Sequence, residues 1–167
     1  MDKKFAIQVL VLVGLIFAGF LITKNPTVVN NALAPLGGPS QPVNTVNIKV
    51  KDATVSSEIA DTQEKKVKGL SGRESLATDS GMLFLYDKPG NYIFWMKGMK
   101  FPLDFIWIKG DSVVDLTENA KAPTANQPDD SLIRYQAKEP IDKILEVNAG
   151  FVSKHQISIG DKLSVVK

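Results

Sequence analysis

The chain has no cysteine and one histidine, His155, in 167 residues. The first absence excludes disulfide staples, thiolate metal sites and cysteine nucleophiles, and the second leaves no set of imidazoles for a zinc centre. No metal and no cofactor are expected. Blocks of like charge are missing too: 20 basic residues are interspersed with 18 acidic ones, the net charge is +2, and no basic stripe forms of the kind nucleic acid needs. There is no phosphate loop, dinucleotide fingerprint, nucleophile-elbow serine or internal repeat. A fold built from this chain holds by packing alone.

What is present begins with an apolar run. Residues Phe5 to Ile22 carry no charge and one polar side chain, Gln8. As a helix the run spans roughly 27 Å, close to the hydrocarbon thickness of a bilayer. Lys3 and Lys4 precede it, and the positive-inside bias places the rest of the chain outside the cytoplasm, although Lys24 weakens that asymmetry. Residues 1–24 are therefore expected to form a single-pass membrane anchor or uncleaved signal. The alternative is a signal peptide cleaved after Ala32-Leu33-Ala34, which has the small-x-small form but lies far beyond the apolar run and directly before Pro35. Residues 25–45, with four prolines, Gly37-Gly38 and several asparagines, are expected to be a flexible linker.

From residue 46 to 167 the pattern is that of a mainly β domain. Val46, Ile48 and Val50 alternate with polar residues, as do Val55 and Ile59 within Ala53 to Ala60. Asp61 is placed to cap a short helix, with Glu64 three residues on. The run Gly81 to Tyr86 is continuously apolar and is expected to be covered on both faces. Further strands are predicted over Tyr92 to Lys97, Leu103 to Ile108, Val113 to Asn119, Leu132 to Gln136, Asp142 to Asn148 and the C-terminal segment around Gly160-Asp161. The expected architecture is a compact antiparallel barrel or jelly-roll-like sandwich with one or two short helices, in addition to the transmembrane helix.

The stretch Tyr92 to Ile108 holds both tryptophans and the densest set of large side chains. Beside its lysines it has the composition of an aromatic binding platform, but a two-residue period puts apolar groups on both faces, so a core hairpin is expected. Its functional interest narrows to the connection from Lys97 to Asp104.

Several pieces carry a family resemblance: Gly69-Leu70, Gly72-Arg73-Glu74-Ser75-Leu76, Gly81-Met82-Leu83-Phe84, Phe94-Trp95-Met96-Lys97, Pro102-Leu103-Asp104 and Leu145-Glu146-Val147-Asn148-Ala149-Gly150. In this order the chain resembles the DUF192 (UPF0127) family over nearly all of residues 58 to 165. The resemblance implies a compact β domain, often secreted or membrane-tethered, and no catalytic mechanism. Ser71 stands where the family commonly has methionine, and Gly98-Met99 where it often has a polar pair.

The candidate ligand-binding residues are Arg73, Trp95, Lys97, Asp104, Glu118 and Glu146. Lys97 and Asp104 sit among apolar neighbours, so they either pair with each other or meet a ligand; Asp104 is also suited to accept backbone hydrogen bonds. The Arg73 guanidinium fits an anionic ligand or an internal bridge to Asp104, Glu118 or Glu146. Glu118 and Glu146 would act as acid and base, or hold a hard cation, if they faced one cavity; as ordinary glutamates they face solvent. The expected role is a membrane-anchored extracytoplasmic binding or accessory module of the cell envelope, taking a small anionic ligand or an envelope component. The alternative is an envelope-polymer hydrolase or lyase working through Glu118, Glu146 and Asp104.

Overall fold

The computed structural model describes residues 45–166. The expected anchor, and the linker up to residue 44, lie outside the described residues. Among the described residues no helix is long and apolar enough to cross a membrane.

Seven strands form one sheet: β1 (Thr45–Val50), β2 (Ala53–Ala60), β3 (Ser80–Gly90), β4 (Leu103–Lys109), β5 (Ser112–Ala120), β6 (Ile141–Asn148) and β7 (Leu163–Val166). Their spatial order is β5-β4-β6-β3-β2-β1-β7. Two short helices are present, α1 (Gln63–Lys68) and α2 (Phe151–Lys154). The sheet curls into a half-barrel. At one end its two edge strands meet through the Ser112–Lys162 bridge, with Val113 N–H donating to Asp161 O at 2.9 Å and Leu163 N–H to Asp111 O at 2.8 Å.

Two parts of the expected architecture are corrected. There is one curled sheet and not a jelly-roll sandwich, and it is not wholly antiparallel, because β2 and β3 run parallel. A parallel pair needs a crossover of a dozen or more residues, and the segment between Ala60 and Ser80, carrying α1, supplies it. The cap of α1 is Thr62 and not Asp61: the Thr62 hydroxyl accepts from Lys65 N–H at 3.3 Å, while Asp61 accepts from Lys65 Nζ at 2.8 Å.

The expected core hairpin is also absent. Leu103–Lys109 is a strand, but residues 91–102 are irregular and outside the sheet, with one isolated bridge in which Phe94 and Tyr135 of the loop before β6 exchange backbone hydrogen bonds of 2.8 Å. Strand β4 pairs instead with β5 and β6. The segment lies across the sheet as a cover. The two-residue alternation nevertheless survives in it, with Phe94 and Met96 buried and Ile93 and Trp95 exposed.

The strands bury both faces, which explains the unbroken apolar run in β3. One face gathers Ile48, Val50, Val55, Leu83, Ile106, Ile108, Leu145 and Val147. It includes Val113 and Leu163 from the neighbourhood of both sheet edges, so it lies inside the curl, where Phe151 and Val152 of α2 plug it. The opposite face gathers Phe84, Phe94, Met96, Met99, Leu103, Phe105 and Trp107. Gly81 marks the tightest approach between strands: a Cβ there would come within 2.6 Å of Glu146 O and 2.9 Å of a Val55 methyl.

Candidate functional site

On the outer face, register places four side chains in one row across the sheet. Glu58 of β2 is opposite Met82 of β3, Met82 is opposite Glu146 of β6, and Glu146 is opposite Phe105 of β4. Above this row the cover does not close completely. A cavity of about 390 Å³ remains between α1, residues 69–71 and the 92–99 segment. Its walls are Leu70, Phe84, Phe94, Met96, Met99 and Leu103; Tyr86 and Tyr92 stand to one side, Lys66, Lys68 and Lys97 carry the charge of its lining, and Glu146 lines it from the sheet. The size lies within the range of small-molecule sites.

Glu146 is the unusual group. It is 6% exposed, and no hydrogen bond or ion pair reaches its carboxyl among the described residues. Burial without a partner disfavours the charged form and pushes its pKa from 4.5 up to about 8. At neutral pH the group is mostly a neutral acid, holding one O–H donor and an acceptor oxygen towards the cavity. Next to it the Tyr86 phenol is pushed up to about 12, chiefly by burial and then by Tyr92 and Glu146. Tyr86 stacks on Tyr92 with ring centroids 3.5 Å apart, and Lys66 Nζ lies 4.5 Å from the Tyr86 centroid.

The six sequence candidates separate. Trp95, Lys97 and Glu146 line the cavity; Arg73, Asp104 and Glu118 are not among its lining residues. Arg73 makes a bidentate pair with Glu58, a partner not anticipated, with Nη2 to Oε2 at 2.7 Å. That hydrogen-bonded pair holds the guanidinium pKa above its ordinary value. Lys97 does not pair with Asp104; it bridges to Asp129, because Asp104 belongs to the other face. There Asp104 is completely buried and accepts from Asn119 N–H at 2.8 Å and Val152 N–H at 2.9 Å, so the backbone hydrogen-bond expectation holds. Glu118 is exposed, as an ordinary glutamate, whereas the same expectation for Glu146 fails. The three carboxylates suggested for acid–base work thus lie in three different environments, and only one lines the cavity.

Lys66, Lys68, Tyr86 and Tyr92 were missed. A signal for Tyr86 was present, since Met82, Phe84 and Tyr86 share a face at period two. No comparable signal marked Lys66 and Lys68, which enter the site through the crossover. The two positions singled out as departures from the family pattern meet in space: Gly72 N–H donates to Gly98 O at 2.9 Å, and a Cβ on Gly98, at φ +69°, would come within 2.2 Å of Ser71 Oγ. Ser71 and Gly98 are therefore matched in size at the cavity mouth.

The DUF192 family model, "Uncharacterized ACR", matches residues 45–165. A solved protein of unknown function from Novosphingobium aromaticivorans DSM 12444 is 30% identical, with a TM-score of 0.67, and the match covers 80% of this chain and 94% of that one. A proposed transcription regulator from Sinorhizobium meliloti 1021 is 27% identical, with a TM-score of 0.65, over 77% of this chain and 98% of that one. Both relatives are matched over nearly their whole length, so each of those solved chains is little more than this domain. No curated protein matches the chain.

Proposed function

We propose a binding role for this chain, which belongs to the DUF192 family: it is a membrane-anchored, extracytoplasmic module of the cell envelope that holds a small amphipathic ligand in the cavity above Glu146. Anchoring through residues 5–22 is supported by their length, apolarity and the preceding lysines. Binding is supported above all by one observation, a carboxyl without a hydrogen-bond partner among the described residues that opens onto a preformed, largely apolar cavity. Native proteins satisfy such groups with protein or ordered water, and one open to a cavity offers a ligand a hydrogen-bonding position in place of that water. The lysines at the lining favour an anionic group near Lys66, Lys68 or Lys97, the aromatic and methionine walls favour an apolar body, and Glu146 favours a hydrogen-bonding group at the far end.

The regulator description of the Sinorhizobium relative does not transfer readily. Helices of six and four residues are too short to serve as a recognition helix, and the balanced charge supplies no phosphate-binding stripe. An acid–base hydrolase draws no support either, since Asp104 and Glu118 do not join Glu146 at the cavity.

The test compares an ω-hydroxy medium-chain fatty acid with the same acid lacking the hydroxyl, using the melting temperature of the domain from residue 45. The hydroxylated acid should give the larger rise by mass action, and Glu146→Leu should remove the difference. No rise with either acid, or an equal difference in the variant, would reject the site.

A further inference from the structure

We infer that the rim of this cavity is a docking face for a bilayer bearing anionic headgroups. Seven large apolar residues of the described chain are exposed, and three of them gather here: Val67 (75% exposed), Ile93 (60%) and Trp95 (38%). Val67, Ile93 and Trp95 line the cavity mouth itself. The Phe94–Tyr135 bridge sets Arg134 beside Trp95 at the same place. Single exposed apolar residues are ordinary, but a cluster framed by cations is a contact surface.

Cations surround these residues. The Arg134 guanidinium lies 4.0 Å from the Trp95 ring centroid and Lys97 Nζ 5.3 Å from it. Asp129 offsets the charge of Lys97, whereas Lys66, Lys68 and Arg134 have no carboxylate partner among the described residues. An exposed indole with branched apolar neighbours and lysines whose stems lie along apolar surface matches the chemistry of the headgroup boundary: apolar tips enter, the indole sits at the interface, and ammonium groups stay with phosphates. An acidic protein would satisfy the charges but would give no particular reason for Val67 and Ile93 to be so far exposed.

The point where the chain enters the domain agrees with this placement. Thr45 pairs with Glu58, close to the end of β2 that leads through Ala60 into α1, which carries Val67 and Lys68. A flexible linker of the length of residues 25–44 has an r.m.s. span of roughly 25 Å, so a tethered domain would meet the surface at high effective concentration. The tether rests on the proposed anchoring; the docking face stands on the domain alone.

The two tryptophans make the test selective, because Trp107 is completely buried and only Trp95 can be reached from outside. The full chain is reconstituted in vesicles of phosphatidylcholine, with or without phosphatidylglycerol, in which the acyl chains are brominated near the headgroup. Quenching of Trp95 emission is expected in the anionic vesicles and not in the neutral ones, and it should be lost in the double variant Lys68→Glu, Arg134→Glu. Equal emission in both vesicle types, or quenching that survives charge reversal, would overturn the inference. So would capture of the protein by an acidic polypeptide without any vesicle effect. Flotation of the domain from residue 45 with the same vesicles removes the anchor from the test, and Ile93→Ser, a single exposed change, provides a variant that keeps the core should charge reversal disturb folding. The fatty-acid melting assay needs no vesicle, so loss of one result leaves the other standing.

Discussion

Asp104 and Glu146 are buried acids on adjacent strands, one register step apart, with Asp104 opposite Val147 and Phe105 opposite Glu146. Alternation sends them to opposite faces of the sheet, and the two faces treat them differently. Inside the curl the Asp104 carboxylate is used as structural glue, joining Asn119 N–H and the Val152 N–H of α2 to β4. Outside it Glu146 receives no donor and faces a gap in the cover. The inner face is sealed by the closing strands and its buried carboxylate is satisfied internally, although His155 Nε2, beside Phe151, is buried without a partner; the outer face is roofed by an irregular segment that fits less completely. The other acids of the outer face are satisfied internally, Glu58 by Arg73 and the buried Asp115 by Lys138 N–H at 3.0 Å, so it is the acid left without a donor, Glu146, that reports on a site.

The largest effect that tests this contrast is on Asp104. Asp104→Ala removes two charge-assisted hydrogen bonds and strands two backbone N–H groups, one of them at a buried contact, so urea denaturation should show a loss of roughly 3–5 kcal/mol. A loss within about 0.5 kcal/mol, the range of ordinary surface changes, would mean that the inner face tolerates an unpaired group and would dissolve the distinction.

Glu146 comes next, and its effect depends on pH. Its folded pKa of about 8 lies above the ordinary 4.5, so across that interval the native state holds a proton that the unfolded state has released. The associated stability is fully present below pH 4.5 and is lost as pH rises through 8, on the order of a few kcal/mol in all. Melting temperatures of wild type should therefore fall over this window relative to Glu146→Gln, which cannot titrate. Parallel curves for the two proteins would show that Glu146 is already charged.

Arg73→Ala is the smallest. Its pair with Glu58 is bidentate but partly open to solvent, with the Arg73 side chain 35% exposed, so the loss should be about 1 kcal/mol and should shrink in high salt. A loss as large as that of Asp104→Ala would make the outer row a structural element like the inner one.

These particular residues also mark how far the chain could be read before folding. The strands at Val46 to Val50, Ala53 to Ala60, Val113 to Asn119 and Asp142 to Asn148 were legible because alternation is a local signal. The segment Tyr92 to Lys97 was misread as a strand because its alternation is real but serves a cover, and periodicity does not report on backbone pairing. The parallel β2–β3 pair was hidden for a related reason: no local pattern announces that a crossover returns to pair in parallel. Of the candidate residues, Trp95, Lys97 and Glu146, picked out as charged or aromatic residues interrupting apolar runs, line the cavity. Arg73 was matched to the wrong carboxylates because its partner, Glu58, lies on a strand whose neighbour depends on that same crossover.

Direct titration of the Glu146 carboxyl is the measurement that bears most closely on the contrast. Carbon-13 labelling of glutamate side chains, with the resonance assigned through Glu146→Gln, follows it without reference to stability. A midpoint near 8 is the expected result. A midpoint in the ordinary range near 4.5 would show that an internal partner or water already satisfies the group, and the outer face would lose its claim to a site.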